Sequence, residues 1–121
     1  RVAVMYAGQV VEHAGAQRVF DDPLMPYTAA LLRSVPRLGD GTAGLRLTAI
    51  PGHPPSLVDL PAGCRFEPRC PLAEDRCRVD DPPLELKRDG HLAACLMPAA
   101  AVRGLAAAPQ AAAPQAEGEL R

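Results

Sequence analysis

Four cysteines carry the strongest chemical signal in this sequence. Cys64, Cys70, Cys77 and Cys95 follow the spacing C-x5-C-x6-C-x17-C in a chain of 121 residues that has no other cysteine. Thiolates are soft ligands, and structural zinc and iron–sulfur centres each take four of them. Two disulfides would use the same residues in an oxidising compartment, and four unconnected thiols are the plainest alternative. The spacing names no metal, because it has neither the paired C-x2-C knuckles of zinc ribbons nor the C-x2-C-x2-C run of bacterial ferredoxins. Gly63 precedes the first cysteine, and Pro68 and Pro71 flank the second. Such a stretch has few apolar residues for a core and needs a staple.

Charge near the cysteines is balanced. Residues 63–95 hold six basic side chains (Arg65, Arg69, Arg76, Arg78, Lys87, Arg88) against seven acidic ones. The four nearby arginines either offset thiolate charge or are simply solvated. His91 lies four residues before Cys95 and reads as a structural histidine, with ligation the alternative. His13 and His53 read as surface or loop residues. Asp21-Asp22 and Asp80-Asp81 are paired carboxylates beside prolines, and they read as loop charges because nothing apolar nearby would raise one pKa.

Other chemistries lack their residues. No G-x-x-x-x-G-K-[ST] loop is present to cradle phosphates, and the only lysine is Lys87. There is no G-x-S-x-G elbow and no H-E-x-x-H pair. No catalytic or nucleotide-binding residue is therefore assigned, and the chain alone is not expected to bind or hydrolyse ATP.

The elements that must position the thiols are short. Residues 2–6 are continuously apolar, a pattern that suits a strand buried on both faces. Gly8 makes a turn inexpensive, and residues 10–13 return as a second strand. A lone hairpin is marginal in water, so this one needs a sheet or domain to lean on, and little of the chain looks able to supply it. Residues 15–21 read as a short helix. Pro26 suits the first position of a second helix, which Pro36 ends near Ser34 or Val35, with an apolar face through Tyr27, Ala30, Leu31 and Ser34. Residues 45–50 alternate and read as one more short strand. Residues 51–55 hold three prolines and cannot be regular. Residues 61–97 show little periodicity, and from Ala99 onward the Ala/Pro/Gln composition reads as a disordered tail.

Composition bounds the rest. Net charge is −1, which excludes a general nucleic-acid binder. No apolar run approaches the roughly 18 residues of a membrane span, and residues 1–6 lack the form of a signal peptide. The hydrophobic fraction is 48%, but 22 of those residues are alanine, so the core must be small. The first residue is not Met, which points to an N-terminus inside a longer protein.

The order of these segments resembles a known family. Residues 1–15 are similar to the stretch after the switch histidine of ABC-transporter ATPases, and Val19-Phe20-Asp21-Asp22-Pro23 follows as it does there. Pro26-Tyr27-Thr28-Ala29-Ala30-Leu31 resembles the His-Pro-Tyr-Thr helix of the oligopeptide/dipeptide importer subfamily, with Met25 in place of the His. Residues 50–57, 60–71 and 90–95 are similar to that subfamily's C-terminal extension.

The resemblance implies an α+β chain in three parts. Residues 1–36 would be the end of an ABC ATPase domain. Residues 37–97 would be the oligopeptide/dipeptide transporter extension with its cysteines, and 98–121 a disordered tail. It implies a regulatory or structural segment of an ATP-binding subunit for peptide or nickel import. That subunit would be peripheral on the cytoplasmic face of the plasma membrane, paired with a second ATPase subunit and with membrane-spanning permease subunits. Neither nucleic acid nor direct membrane insertion is expected, and ATP and Mg would bind only through an upstream domain. It favours Cys64, Cys70, Cys77 and Cys95 as metal ligands, for a [4Fe–4S] cluster ahead of zinc. A free-standing cysteine-rich module is the alternative, and a small secreted disulfide protein a weaker third reading.

Overall fold

A computed structural model describes residues 1–35 and 49–108. Four antiparallel strands form one sheet in the order β1-β2-β4-β3: β1 Val2–Tyr6, β2 Gln9–Ala14, β3 Glu85–Arg88 and β4 His91–Ala93. Among the described residues three α-helices accompany it: α1 Ala16–Asp21, α2 Pro26–Ser34 and α3 Ala99–Ala107.

The first hairpin turns through Ala7 (φ 47°) and Gly8 (φ 82°). Positive φ at both central residues is the two-residue turn whose twist matches the strands. The register runs Val2↔Ala14 to Tyr6↔Gln9, with a bulge between Val4 and Met5. Strand β1 is not buried on both faces as its apolar run implied. It lies at the edge of the sheet, with Ala3 and Met5 exposed.

The support for this hairpin comes from within the chain, contrary to expectation. Asp89-Gly90 turns a second hairpin, with Gly90 at φ 66°, and its β4 pairs with β2 at Glu12↔Ala93 and His13↔Leu92. These strands hold only four and three residues. That is too short for an alternation to stand out, although Asp-Gly is itself a hairpin signal.

Helix α2 begins at Pro26 and ends at Ser34, where the sequence placed it. Its most buried positions are Pro26, Thr28 and Ala29, and the predicted stripe of Tyr27, Ala30, Leu31 and Ser34 is only half-buried. The reason is α3, which packs along α2 and covers a second side of it. Residues 99–107 are therefore helical, not part of a disordered tail. Alanine is the strongest helix former, Pro98 precedes the first turn, and Val102 is fully buried. The strand expected at residues 45–50 lies outside the described residues except Ala49 and Ile50, which are in no strand. The expected tail beyond Ala108 also lies outside them.

The core joins all of these parts. Tyr6 from β1, Val11 from β2, Met25 and Ala29 around α2, Phe66, Cys77, Cys95, Met97 and Val102 form one cluster. Three of the chain's four aromatics meet in it. The ring centroids stand 4.6 Å apart for Tyr6–Tyr27, 5.3 Å for Tyr6–Phe66 and 5.4 Å for Tyr27–Phe66. Tilted and edge-on contacts at these distances are favourable, and they bind the hairpin, α2 and the cysteine-bearing segment together. Among the described residues, no helix is long and apolar enough to cross a membrane.

Candidate functional site

The backbone gathers the four cysteines from three places. Cys64 donates its N–H to the Cys77 carbonyl at 2.9 Å. The strands of chain approach so closely that a Cβ on Gly63 would lie 2.4 Å from that same oxygen. Only glycine fits there. A 3₁₀ turn over Glu67–Arg69 then ends at Cys70, whose N–H bonds the Glu67 carbonyl at 3.1 Å. Cys77 sits inside a second 3₁₀ turn, Asp75–Arg78. Cys95 follows β4, and the chain just before it is fastened by the Ala94 N–H on the Val11 carbonyl at 2.8 Å.

All four cysteines line one small cavity, with Met25, Pro26, Phe66, Glu67, Leu96 and Met97 among its other walls. Its free volume is about 10 Å3, room for about one water. Cys64 and Cys70 are half-buried, Cys77 and Cys95 are buried, and none is in a disulfide. As the side chains stand, no three His, Cys, Asp or Glu residues among those described form a shell around a single ion.

Burial sets the thiol chemistry. Desolvation pushes Cys64 and Cys95 above the ordinary thiol value and Cys70 up to about 11. Neighbouring thiols add to the rise, since each thiolate would repel the next. Backbone amides work the other way: the N–H groups of Phe66 and Glu67 face the Cys64 sulfur, that of Leu72 faces Cys70, and that of Met97 faces Cys95 at 3.4 Å. Without a metal, burial keeps Cys64, Cys70 and Cys95 as neutral thiols, and the amides are already aimed to stabilise thiolate charge when a cation arrives.

The nearby arginines tie segments together, while Arg76 and Arg78 are also exposed, as the solvated reading expected. Arg65 donates to the Ala7 carbonyl in the first turn. Arg69 spans Pro51 O (3.0 Å), Ile50 O (3.2 Å) and Tyr6 OH (3.3 Å). Arg76 reaches Glu74 and the Leu96 carbonyl, and Arg78 reaches Glu67 and Asp75. They are ties between segments. Asp22 is also no mere loop charge, since it receives Arg103 from α3 at 2.7 and 3.0 Å and Arg88 from β3 at 2.6 Å. Asp21, Asp80 and Asp81 are exposed, as expected.

His91 is structural, and its partner escaped the sequence reading. Its Nε2 lies 2.5 Å from Glu12 Oε1, and both side chains are 0% exposed. The same carboxylate accepts the Leu24 N–H at 2.7 Å and the Met25 N–H at 3.2 Å. Within Val10-Val11-Glu12-His13 a single acidic residue gives no hint that it faces inward. His13 is half-buried beside Arg1, and His53 is exposed.

Fold and cavity define a class: a small α+β unit built around a cysteine-lined cavity, its sheet completed by a C-terminal hairpin. The family follows from comparison with known proteins. Residues 11–77 match the model of the oligopeptide/dipeptide transporter C-terminal region, and the chain belongs to that family. It is similar to the oligopeptide transport ATP-binding protein OppD of Mycobacterium tuberculosis, 53% identical over 96 residues, covering 79% of this chain and 16% of that protein. The Salmonella typhimurium OppD is 47% identical over 98 residues, covering 81% and 28%. The dipeptide transport ATP-binding protein DppD of Escherichia coli is 45% identical over 98 residues, covering 81% and 29%. The chain spans less than a third of the length of these relatives. All three carry the name of transport ATP-binding proteins, and the free-standing module finds no support among them.

Proposed function

We propose that this chain serves as the C-terminal extension of an ATP-binding subunit that powers peptide import, a peripheral protein on the cytoplasmic face of the membrane. Its partners are membrane-spanning permease subunits and a second ATPase subunit. ATP and Mg bind through residues outside this chain, since it contains no P-loop. The observation that carries the reading is the family match over residues 11–77, which takes in most of β2, all of α1 and α2, and three of the four cysteines.

The extension acts as a clip. Cys64, Cys70, Cys77 and Cys95 hold a soft metal centre, a [4Fe–4S] cluster first and zinc second. The support is a donor set of four free thiols on one apolar-walled cavity, with amides directed at three of the sulfurs. When bound, such a centre supplies a cross-link between three chain segments, and in the cluster case a redox-active group. The cavity as it stands, about 10 Å3 with no three sulfurs around one point, must rearrange to take either centre. A cluster requires the walls to part, and Met25 and Met97 are side chains flexible enough to do so. The residues' own task is to keep water out, through Phe66, Pro26 and Leu96, and to present the sulfurs.

Two measurements test this. Peptide uptake by cells carrying the subunit without residues 49–108 is expected to fall to background, and unchanged uptake overturns the transport role. Anaerobically purified protein is expected to carry about four iron and four sulfide per chain, or one zinc. Neither metal, with four titratable thiols, removes the clip.

A further inference from the structure

One carboxylate, Glu12, ties to β2 two segments that lead to the thiol cavity. It projects from β2, takes the two amide protons at the start of α2, and pairs with His91 of β4. Met25, whose N–H it holds, is a wall of the cavity. His91 opens the short strand that leads directly to Cys95. Both side chains are 0% exposed, and breaking a buried pair leaves polar atoms with no water to replace the partner.

We propose that Glu12 and His91 are a positioning pair for the thiol cavity, fixing where Cys95 and the Met25 wall stand. This rests on the reading of that cavity as the functional site, but the pair itself acts before any metal binds. A carboxylate can only accept, so His91 presents Nε2–H to it. Nδ1 of His91 has no partner among the described residues. The needed chemistry is therefore one N–H at the reach of Nε2, anchored on β4. Glutamine offers an amide N–H at a similar reach. Asparagine is too short, and leucine has the bulk without the donor.

The lever is specific to Cys95. Cys64 and Cys77 are held to each other by the Cys64 N–H on the Cys77 carbonyl and by the close approach at Gly63. Neither contact involves β4. Loosening β4 should free Cys95 and leave that junction intact.

The test is site-resolved alkylation with iodoacetamide, read by mass spectrometry on the full-length subunit, reduced and stripped of metal. His91→Leu and His91→Asn are expected to raise the Cys95 rate roughly tenfold, as local opening does, with Cys64 little changed. His91→Gln is expected to stay near the parent rate. Equal Cys95 rates in all four proteins overturn the proposal. So does a parallel rise of all four thiols in the leucine and asparagine variants, which marks general loosening. Should His91→Leu fail to fold, the glutamine–asparagine contrast decides alone. Iron and zinc content of the parent protein is measured separately. A parent that takes up neither removes the metal reading and leaves the alkylation pattern to judge the pair.

Discussion

Cys64 and Cys77 share a backbone hydrogen bond of 2.9 Å, and Gly63 beside them stands where any Cβ would lie 2.4 Å from the Cys77 carbonyl and 2.5 Å from the Arg78 carbonyl carbon. The obstacles are main-chain atoms, which no rotamer change can clear. Gly63→Ala must therefore push the two cysteine-bearing turns apart. The expected cost is about 1–3 kcal/mol of stability, the range for overpacking, together with loss of tight metal loading. Chemical denaturation and metal content check both, and a Gly63→Ala protein that loads metal normally shows the junction to be dispensable.

The first turn offers the opposite sign. Ala7 adopts φ 47°, a left-handed conformation that strains a residue with a Cβ, while Gly8 at φ 82° accepts it freely. Ala7→Asn restores the Asn-Gly pair preferred in this turn. It is expected to stabilise the protein by about 0.5–1 kcal/mol, because asparagine tolerates the left-handed region. A lowered unfolding midpoint would show that the Arg65 contact to the Ala7 carbonyl sets the turn's stability instead.

Much of this hairpin and of α2 was legible because their signals are local: β-branched runs, Gly8, Pro26. The cysteines were legible as a set because of their spacing. What escaped depends on partners far along the chain. Strands β3 and β4 are too short to show a period, and β4 exists as a strand because β2 offers it an edge. Helix α3 looked like a tail because alanine and proline dominate its neighbourhood, yet α2 gives Val102 a place to bury. Glu12 could not be read at all, since its partners Leu24, Met25 and His91 lie on other elements. The arginines read equally as counter-ions to thiolates or as solvated charges, and the fold uses them to bond carbonyls and carboxylates of other segments.

Asp22 ties α3 and β3 to the end of α1. The hydrogen bonds from Arg103, aided by Arg88, hold its carboxyl well below the usual range. A carboxyl with a lowered folded pKa stabilises at pH above its unfolded value, about 3.9, and that contribution drains as pH falls further. These groups are partly solvated, so Asp22→Asn is expected to cost only about 1 kcal/mol at pH 7. The gap between parent and variant should narrow below pH 4. Urea midpoints at pH 7 and pH 3 measure it, and a gap that widens in acid contradicts the ion-pair account.

Removing Phe66 should dissolve the bond between the two halves of the fold. Its ring is buried, meets Tyr6 and Tyr27 within 5.4 Å, and also walls the thiol cavity. Phe66→Ala is expected to cost about 3–5 kcal/mol, the range for deleting a core aromatic. Limited proteolysis should then cut between α2 and the cysteine segment. Phe66→Leu, which keeps most of the volume, should retain protease resistance. Equal resistance in the alanine variant would mean that the sheet alone holds the halves together.

The thiols give the last prediction, and its sign follows from burial. The Cys70 pKa is pushed up to about 11 in the folded protein, against about 8.5 for a free cysteine, because the charged form is costly inside the cavity. An acid whose folded pKa is raised contributes stability that is complete below the unfolded pKa and is lost as pH climbs toward the folded one. Metal-free protein should therefore weaken between pH 8.5 and 11, and Cys70 alkylation should still be rising at pH 10, where an exposed thiol has levelled off. Metal loading reverses the balance. Each thiol that binds must first release its proton, so affinity is expected to grow up to about tenfold per pH unit for every proton released. Cobalt(II) titrations at pH 6.5 and 7.5 read that slope. A slope near four protons makes all of Cys64, Cys70, Cys77 and Cys95 ligands, and a flat response rules them out.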